Sequence, residues 1–303
     1  MREKPKIHGV LPVLHMPFRE DDTIDFDILG REVDFVLGAG SDGVVLALAS
    51  ELLRLTMNER LEVTRQLPMM TDVRGTVTIS VGAETAKEAV IYAEAAEKAG
   101  ADAVMAIPPV AVSLPELKMY DYYKAIHDAI SIPLVVQNAS GYLGHSLSVE
   151  MEARLRHDLG ERIYFKPEAP PLGPNLMRLQ ELLDNEGVVF EGSGGLALID
   201  SYRRGISGTM PGSDLIRGIV EIWRALESGD DARVYEVYFP LAAIVILQSA
   251  SFDAYLAIEK YLLVRQGVFE NKLLRQPAAY EIDSHTAAEV DRLFAYLEAA
   301  LDR

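Results

Sequence analysis

Short apolar runs of the length of a β-strand alternate along the chain with longer segments whose apolar residues recur every three to four positions. The second pattern is that of an amphipathic helix. Helices are predicted between the strands, among them residues 26–37, 58–70, 85–99, 117–130 and 149–159. We predict eight strands, at residues 10–14, 44–48, 77–81, 103–107, 134–137, 163–166, 188–191 and 206–210.

This alternation predicts an α/β fold in which each strand and helix form one repeating unit. Strand centres are roughly 20 to 35 residues apart, enough for a crossover helix that returns the chain to a parallel neighbour. Eight such units favour a closed (β/α)8 TIM barrel over residues 1–225. The alternative is a doubly wound open sheet, but the first strand-to-helix turn, HMPF at 15–18, has none of the glycines of a dinucleotide-binding turn.

The alternation stops after residue 215, and helical spacing continues at residues 233–250, 252–266 and 287–301. No Gly-, Ser- or Pro-rich linker precedes these helices, so we expect residues 226–303 to form a C-terminal helical extension packed on the barrel.

Charge and cysteine content exclude several classes of function. The net charge is −17 and no basic run exceeds two residues, which argues against nucleic acid or an anionic membrane as a partner. The absence of cysteine excludes thiolate nucleophiles, iron–sulfur clusters and Cys-ligated zinc. No apolar run reaches the roughly 18 residues of a membrane span. We therefore expect a cytoplasmic protein.

The carboxyl ends of barrel strands carry the active site in this architecture, and the sixth strand ends with a lysine. Alternation along the strand places Tyr164 and Lys166 on one face, which we expect to be the interior. An enclosed lysine loses hydration, and its free amine can attack a ketone to form a Schiff base. From position alone, a strand-end lysine that extends to solvent is equally compatible.

Motifs in several units have the order and spacing of a known family. They are VLHMPF at 13–18 with Ile24-Asp25, DGVV at 42–45 with Ser50-Glu51 and LTMNER at 55–60, VG at 81–82 with TAKEA at 85–89, GADA at 100–103 with Pro108-Pro109, and GISGTMPG at 205–212. Together they make the chain similar to the dihydrodipicolinate synthase and N-acetylneuraminate lyase family of class I aldolases.

The resemblance implies a TIM barrel that acts on a small 2-keto acid without a cofactor, with Lys166 at the position of the family's Schiff-base lysine. It also implies a homo-oligomer, a tetramer or a dimer. The six histidines do not have the spacing of metal ligands, which disfavours a metal-dependent aldolase.

The chain departs from the family at several positions that carry its chemistry. Gln137 and Asn138 stand where the family has a proton-relaying tyrosine on strand five, and an amide is not an acid or base at neutral pH. A threonine pair in the second unit is absent, and only Ser50 retains a hydroxyl there. Tyr142 aligns with the arginine that binds a second carboxylate in the synthases, which argues against true dihydrodipicolinate synthase activity.

Other groups must therefore transfer protons if the chain is an enzyme. The titratable candidates near the strand ends are Glu168, Tyr142, Tyr164 and His15, and we favour Glu168 and Tyr142. Glu168 lies two residues beyond Lys166 and can share its face. A solvated loop acid and a surface tyrosine are the alternative interpretations of these two residues.

We predict that substrate is oriented by residues at the ends of strands two, five, seven and eight. These residues are Ala49 (through its backbone), Ser50, Gln137, Asn138, Ser193 and Thr209. The glycine-rich turns after strands seven and eight also match the place where barrels bind phosphate, although glycines are common in tight turns of any kind.

These observations predict a lyase that forms a Schiff base on Lys166 and then breaks a bond by retro-aldol cleavage or dehydration. A 2-keto-3-deoxy sugar acid is a plausible substrate. Two alternatives remain open, a non-catalytic relative that binds a keto or sugar acid, and a phosphate-binding barrel that uses the glycine-rich turns.

Overall fold

The structure is a computed structural model that describes residues 7–139 and 147–303. The strands of the described residues are β1 (Gly9–Val10), β2 (Gly43–Leu46), β3 (Thr76–Ser80), β4 (Ala103–Ala106), β5 (Leu134–Asn138), β6 (Ile163–Pro167), β7 (Phe190–Glu191) and β8 (Gly208–Thr209). The helices are α1 (Phe26–Gly38), α2 (Met57–Thr71), α3 (Ala86–Ala99), α4 (Glu116–Ala129), α5 (Val149–Leu159), α6 (Leu172–Leu182), α7 (Leu198–Arg203), α8 (Ile216–Ser228), α9 (Asp231–Gln248), α10 (Phe252–Arg265) and α11 (Ser284–Leu301).

The eight strands close into a parallel barrel, as predicted. Strands β2 to β6 form one ladder in sequence order, and β1, β8 and β7 form a second. Single parallel bridges join the two ladders, between Val13 and Val45 on one side and between Phe165 and Val189 on the other. The (β/α)8 prediction is therefore confirmed, and the open-sheet alternative is wrong.

Five strands, β1, β2, β4, β7 and β8, are shorter than predicted. Beyond β1, backbone hydrogen bonds to the β8 segment continue at Leu11 and Val13, while Pro12 has no N–H with which to extend a regular ladder. The second strand ends at Leu46 because the chain turns into a short 3₁₀ helix at Leu48–Ser50. The seventh and eighth strands likewise form ladders over only two residues each.

Apolar side chains cover both faces of the barrel wall, because successive residues of a strand point to opposite faces. One set fills the interior: Leu11, Val13, Val45, Ala47, Ala103, Met105, Val135, Phe190 and Met210. The alternate residues, such as Val44 and Val136, face the helices and belong to the larger core.

Side-chain caps fix where several helices begin. Thr56 and Glu59 form a reciprocal capping box at the start of α2, and the side chains of Asp25, Ser148 and Ser251 accept hydrogen bonds from backbone N–H groups at the start of other helices. Each cap satisfies backbone N–H groups that have no partner within the helix.

Helix α9 packs against α8, α10 and α11, and α11 also packs against α8. Residue 225, where we set the end of the barrel, lies inside α8, which continues to Ser228. None of the helices in the described residues is long and apolar enough to cross a membrane.

Candidate active site

A cleft opens at the carboxyl ends of the strands. It encloses about 390 Å³ including space open to solvent, of which about 40 Å³ admits the centre of a water molecule. Its lining comprises Val13, Ala47, Leu48, Ala49, Gln137, Lys166, Glu168, Gly192, Met210, Phe252 and Tyr255. The cleft is where the barrel architecture places catalytic groups.

Lys166 extends from β6 into this cleft. Its side chain is 5% exposed, and its Nζ lies 3.1 Å from Oε1 of Glu168. Tyr164 lies two residues earlier on the same face and packs in the barrel interior, with its ring centroid 6.5 Å from that of Phe190. The structure therefore places Lys166 in the interior and not in solvent.

Glu168 is held on both sides of its carboxylate. One oxygen contacts Lys166, and the other accepts a hydrogen bond from Nε2 of Gln137 at 3.2 Å. The backbone N–H of Glu168 donates to the carbonyl of Asn138 at 3.1 Å, which fixes the chain just beyond β6. Glu168 is therefore a positioned carboxyl group beside the amine, and not a solvated loop acid.

Gln137 contributes a second feature to the cleft. Its Oε1 is buried and has no hydrogen-bond partner within residues 7–139 and 147–303, while its amide N–H donates to Glu168. A buried acceptor without a donor is costly unless a ligand or water satisfies it. This oxygen is therefore a fixed site for a hydrogen-bond donor.

Gly192, in the turn after β7, is the residue that makes the lysine–glutamate pair sterically possible. A Cβ built at this position would lie 2.2 Å from Oε1 of Glu168 and 2.4 Å from Cε of Lys166. Its φ is outside the left-handed range. The glycine is needed here for close approach and not for backbone conformation.

Two aromatic residues that sequence reasoning missed, Phe252 and Tyr255, enter the cleft from the first turn of α10. The sequence does contain an indication of this pair, because two aromatic residues three positions apart, just after the N-cap Ser251, lie on one face of a helix. That indication did not say which surface the helix covers. The phenol of Tyr255 adds a titratable group to the cleft from the C-terminal extension.

Ala49 lines the cleft, but Ser50 does not. The hydroxyl of Ser50 is fully buried, donates to the carbonyl of Leu14 and accepts from the N–H of Ala47 at 3.0 Å. These bonds hold the turn after β2 against β1. The structure therefore uses Ser50 to shape the backbone that carries Ala49.

Asn138 points out of the barrel, because it alternates with Gln137 along β5. Its amide donates to Leu147 O and to Oε1 of Glu152 at 3.0 Å. Burial raises the pKa of Glu152 to about 8. Asn138 thus links the strand to α5 and does not line the cleft.

Ser193 and Thr209 also lie behind the cleft wall. Thr209 is fully buried and donates to Glu191 Oε2 at 2.7 Å, and the backbone N–H of Ser193 donates to the other oxygen of Glu191. The hydroxyl of Ser193 accepts from the N–H of Ala197 at 2.7 Å. Both residues stabilise the turn that carries Gly192. Tyr142 lies outside the described residues.

A buried polar network joins the cleft turns to α10. Lys260 and Glu51 are both fully buried, with Nζ 2.5 Å from the carboxylate, and Glu51 has a left-handed φ of 55°. The second oxygen of Glu51 accepts from the N–H of Arg275 at 2.9 Å. This ion pair fixes the turn next to Ala49 to the helix that carries Tyr255.

His15 lies in a second part of this network and not in the cleft lining. Its ring contacts Glu259 at 2.5 Å, Ser213 at 2.9 Å and Glu32 at 3.3 Å. Burial alone would lower the pKa of His15, but the carboxylates of Glu259 and Glu32 outweigh it and raise that pKa to about 10. His15 is therefore a buried cation that holds α10 to the barrel.

A fully enclosed lysine, a positioned carboxyl group and a (β/α)8 barrel together define a class of lyase that works through a protein amine. The sequence comparisons identify the family. The model of the dihydrodipicolinate synthetase family matches residues 6–295, and the protein belongs to this family. The resemblance inferred from the motifs is confirmed, and the protein is a lyase of the class I type.

Two similar proteins of known name show the range within the family. L-2-keto-3-deoxyarabonate dehydratase of Azospirillum brasilense is 32% identical over 297 residues, which cover 94% of this chain and 93% of that protein. 4-Hydroxy-tetrahydrodipicolinate synthase of Chelativorans sp. (strain BNC1) is 28% identical over 297 residues, covering 93% and 96%.

Solved structures share the fold at lower identity. Dihydrodipicolinate synthase from Rhodopseudomonas palustris superposes with a TM-score of 0.88 at 22% identity, covering 96% of this chain and 98% of that one. YagE of Escherichia coli K12, a family member solved in complex with pyruvate, gives a TM-score of 0.87 at 21% identity, with coverage of 96% and 98%.

Proposed function

We propose that this protein dehydrates a 2-keto-3-deoxy sugar acid through a Schiff base on Lys166. The observation that carries the proposal is the 3.1 Å contact between Nζ of Lys166 and Oε1 of Glu168 inside the cleft. The similarity to L-2-keto-3-deoxyarabonate dehydratase over nearly the whole chain supports this choice among the family's reactions. Bond breaking by dehydration requires one base and one acid, and a single carboxyl group can supply both in turn.

In the proposed reaction the amine of Lys166 first attacks C2 of the keto acid, and the carbonyl oxygen leaves as water. The resulting iminium withdraws electrons from C3. Glu168 takes a proton from C3 to give an enamine, and then returns that proton to the C4 hydroxyl, which leaves as water. Hydrolysis of the conjugated iminium consumes one water and frees the lysine, so the net change is loss of one water from the substrate.

Gln137 supports a hydroxylated substrate. Gln137 lines the cleft, its N–H holds Glu168, and its buried Oε1 has no hydrogen-bond partner among the described residues. A carbonyl oxygen accepts hydrogen bonds and repels other acceptors, so it favours a substrate hydroxyl over a carboxylate or ketone at the same place. We expect Gln137→Leu to weaken selection of hydroxylated keto acids over pyruvate.

Borohydride trapping tests the proposal. We expect intact protein incubated with 2-keto-3-deoxyarabonate to gain a reduced adduct that peptide mapping places on Lys166. Lys166→Ala should give no adduct, while Lys272→Ala, at an exposed lysine, should react as the unchanged protein does. No adduct in folded protein would refute the Schiff base.

Glu168→Gln separates chemistry from binding. The variant keeps the shape of the side chain but cannot transfer a proton. It should still trap pyruvate on Lys166 yet lose dehydration by at least 100-fold, the usual contribution of a general acid or base. If the unchanged protein traps a keto acid on Lys166 but turns over no hydroxylated keto acid, the result would instead favour a protein that only binds keto acids.

A cytoplasmic homo-oligomer, dimer or tetramer, is part of the same proposal. Tyr235, Phe239 and Ile246 lie along one stripe of α9 with exposures of 36%, 65% and 63%. Exposed apolar stripes of this kind mark contacts between proteins. Light scattering should give a mass of at least twice 33.4 kDa, and a monomer would contradict this part.

A further inference from the structure

A second cavity lies outside the barrel, between α1 and α8. About 420 Å³ of it admits the centre of a water molecule, within the size range of small-molecule sites. We call it the α1–α8 groove, and its lining is Phe35, Gly38, Ala39, Arg217, Val220, Glu221, Arg224 and Leu301. Since α1 ends here just before β2 begins, the groove lies toward the rim opposite Lys166.

The groove contains two arginines, Arg217 and Arg224, that have no partner among the described residues. Both are exposed, in a chain that has 46 acidic residues against 29 basic ones. Nevertheless, Arg217 and Arg224 make no ion pair or hydrogen bond in the part of the chain that the structure describes, whereas other arginines, such as Arg204 and Arg233, do. Both line the same cavity.

The position of Arg217 costs stability in the unliganded protein. It lies in the first turn of α8, which has no acidic residue and no side-chain cap. Arg217 is exposed there, and its positive charge lies at the positive end of the helix dipole, which is an unfavourable arrangement. An anion bound beside Arg217 would reverse this unfavourable interaction.

The acidic residue of the groove is already engaged. Oε1 of Glu221 accepts from Nε of Arg233 at 2.6 Å. Arg224 is seven residues from Arg217, which is about 10 Å along one helix face. Arg224 packs at Gly40, where its positive charge can stabilise the negative, carboxyl end of the α1 helix dipole. Arg217 lies too far along α8 to interact with that end of α1.

Gly38 leaves the groove open. A Cβ at Gly38 would meet no atom within 4 Å, and its φ is outside the left-handed range. Neither packing nor conformation requires glycine at this position, so a larger residue would occupy the groove without disturbing the protein. Phe35, Val220 and Leu301 supply the apolar part of the groove lining.

We propose that the α1–α8 groove binds an organic dianion whose acidic groups sit at its two ends, one near Arg217 and the other near Arg224. The apolar part of the lining contacts the body of the ligand. Two separated guanidinium groups match two separated carboxylates or phosphates better than one compact anion.

Calorimetric titration with linear α,ω-dicarboxylates from succinate to sebacate, and with fructose 1,6-bisphosphate and inorganic phosphate, tests this site. We expect a dianion of matching length to bind at least tenfold more tightly than phosphate. Arg217→Gln and Arg224→Gln should each weaken binding at least tenfold, and Gly38→Leu should abolish it. Arg292→Gln, at an exposed arginine paired with Glu289, should leave binding unchanged.

Lys166→Ala separates this groove from the active-site cleft, because the dianion should still bind to that variant. Loss of binding in Lys166→Ala would place the ligand in the cleft and overturn the proposal. Absence of binding by any probe, or equal binding by the arginine variants with unchanged melting temperatures, would overturn it as well.

Discussion

Replacement of Gly192 by alanine should disable the active site without unfolding the protein. The added Cβ would lie 2.2 Å from Oε1 of Glu168 and 2.4 Å from Cε of Lys166, whereas ordinary contact begins at 3.4 Å. Both atoms are on side chains that can rotate, so the pair should move apart by about 1 Å, and a misplacement of that size costs on the order of 100-fold in rate.

The stability of Gly192→Ala should hold or rise, because alanine at a compatible φ restricts the unfolded chain and gains about 0.4–1 kcal/mol. Initial rates of dehydration, borohydride trapping and thermal melting measure the two effects separately. Gly30→Ala is the matched control, since a Cβ at Gly30 meets nothing within 4 Å. Full activity in Gly192→Ala would show that the Lys166–Glu168 contact does not take part in the reaction.

Two further predictions concern the network that holds α10. Lys260→Met should lower the free energy of unfolding by about 3–5 kcal/mol in a urea titration, because it leaves the carboxylate of Glu51 buried without its cation. The double variant with Glu51→Gln should recover part of this loss. A loss below about 1 kcal/mol in Lys260→Met would contradict a buried ion pair. His15 has a folded pKa of about 10 against an ordinary 6.5, so its contribution to stability is fully present below pH 6.5 and is lost as pH rises through 10. Unfolding measured from pH 6 to 10 should therefore show a loss on the order of a few kcal/mol that His15→Gln reduces, and equal pH dependence in both proteins would exclude His15 as its source.

The barrel and the position of Lys166 could be predicted from sequence because both depend on local periodicity. Alternation along β6 sets the direction of Lys166, and the eight strand patterns set the topology. Ser50 and Thr209 illustrate where that reasoning ends. Sequence predicts that both contact substrate, because they are polar and lie at strand ends. In the structure alternation places Thr209 behind the wall, and the hydroxyl of Ser50 is bonded to the backbone of its own turn and of the segment after β1.

The role of Glu168 could be proposed from its spacing alone, but the partners of its carboxylate could not. Gln137 lies on β5 and Gly192 lies in the turn after β7, and their contacts with Glu168 depend on how β5, β6 and β7 lie side by side. From the sequence alone, Gln137 only removes the family's proton-relaying tyrosine. In the structure its amide orients an acid, Glu168.

The C-terminal extension completes the site, and Tyr255 is the residue that tests this view. It enters the cleft one helical turn before Glu259 and Lys260, whose buried contacts hold α10 on the barrel. Since Gln137 replaces the family's strand-five tyrosine, we expect the phenol of Tyr255 to carry a proton. Tyr255→Phe should lower kcat by about 100-fold, a usual contribution of a proton-transferring group, while trapping on Lys166 persists.

Phe252→Leu is the control for Tyr255→Phe, because Phe252 lines the same cleft from the same helix turn but has no hydroxyl. It should change KM more than kcat. An unchanged kcat in Tyr255→Phe would leave Glu168 as the acid and base at every step. In that case α10 would serve only to close the cleft, and Lys260→Met should then affect activity only to the extent that it affects stability.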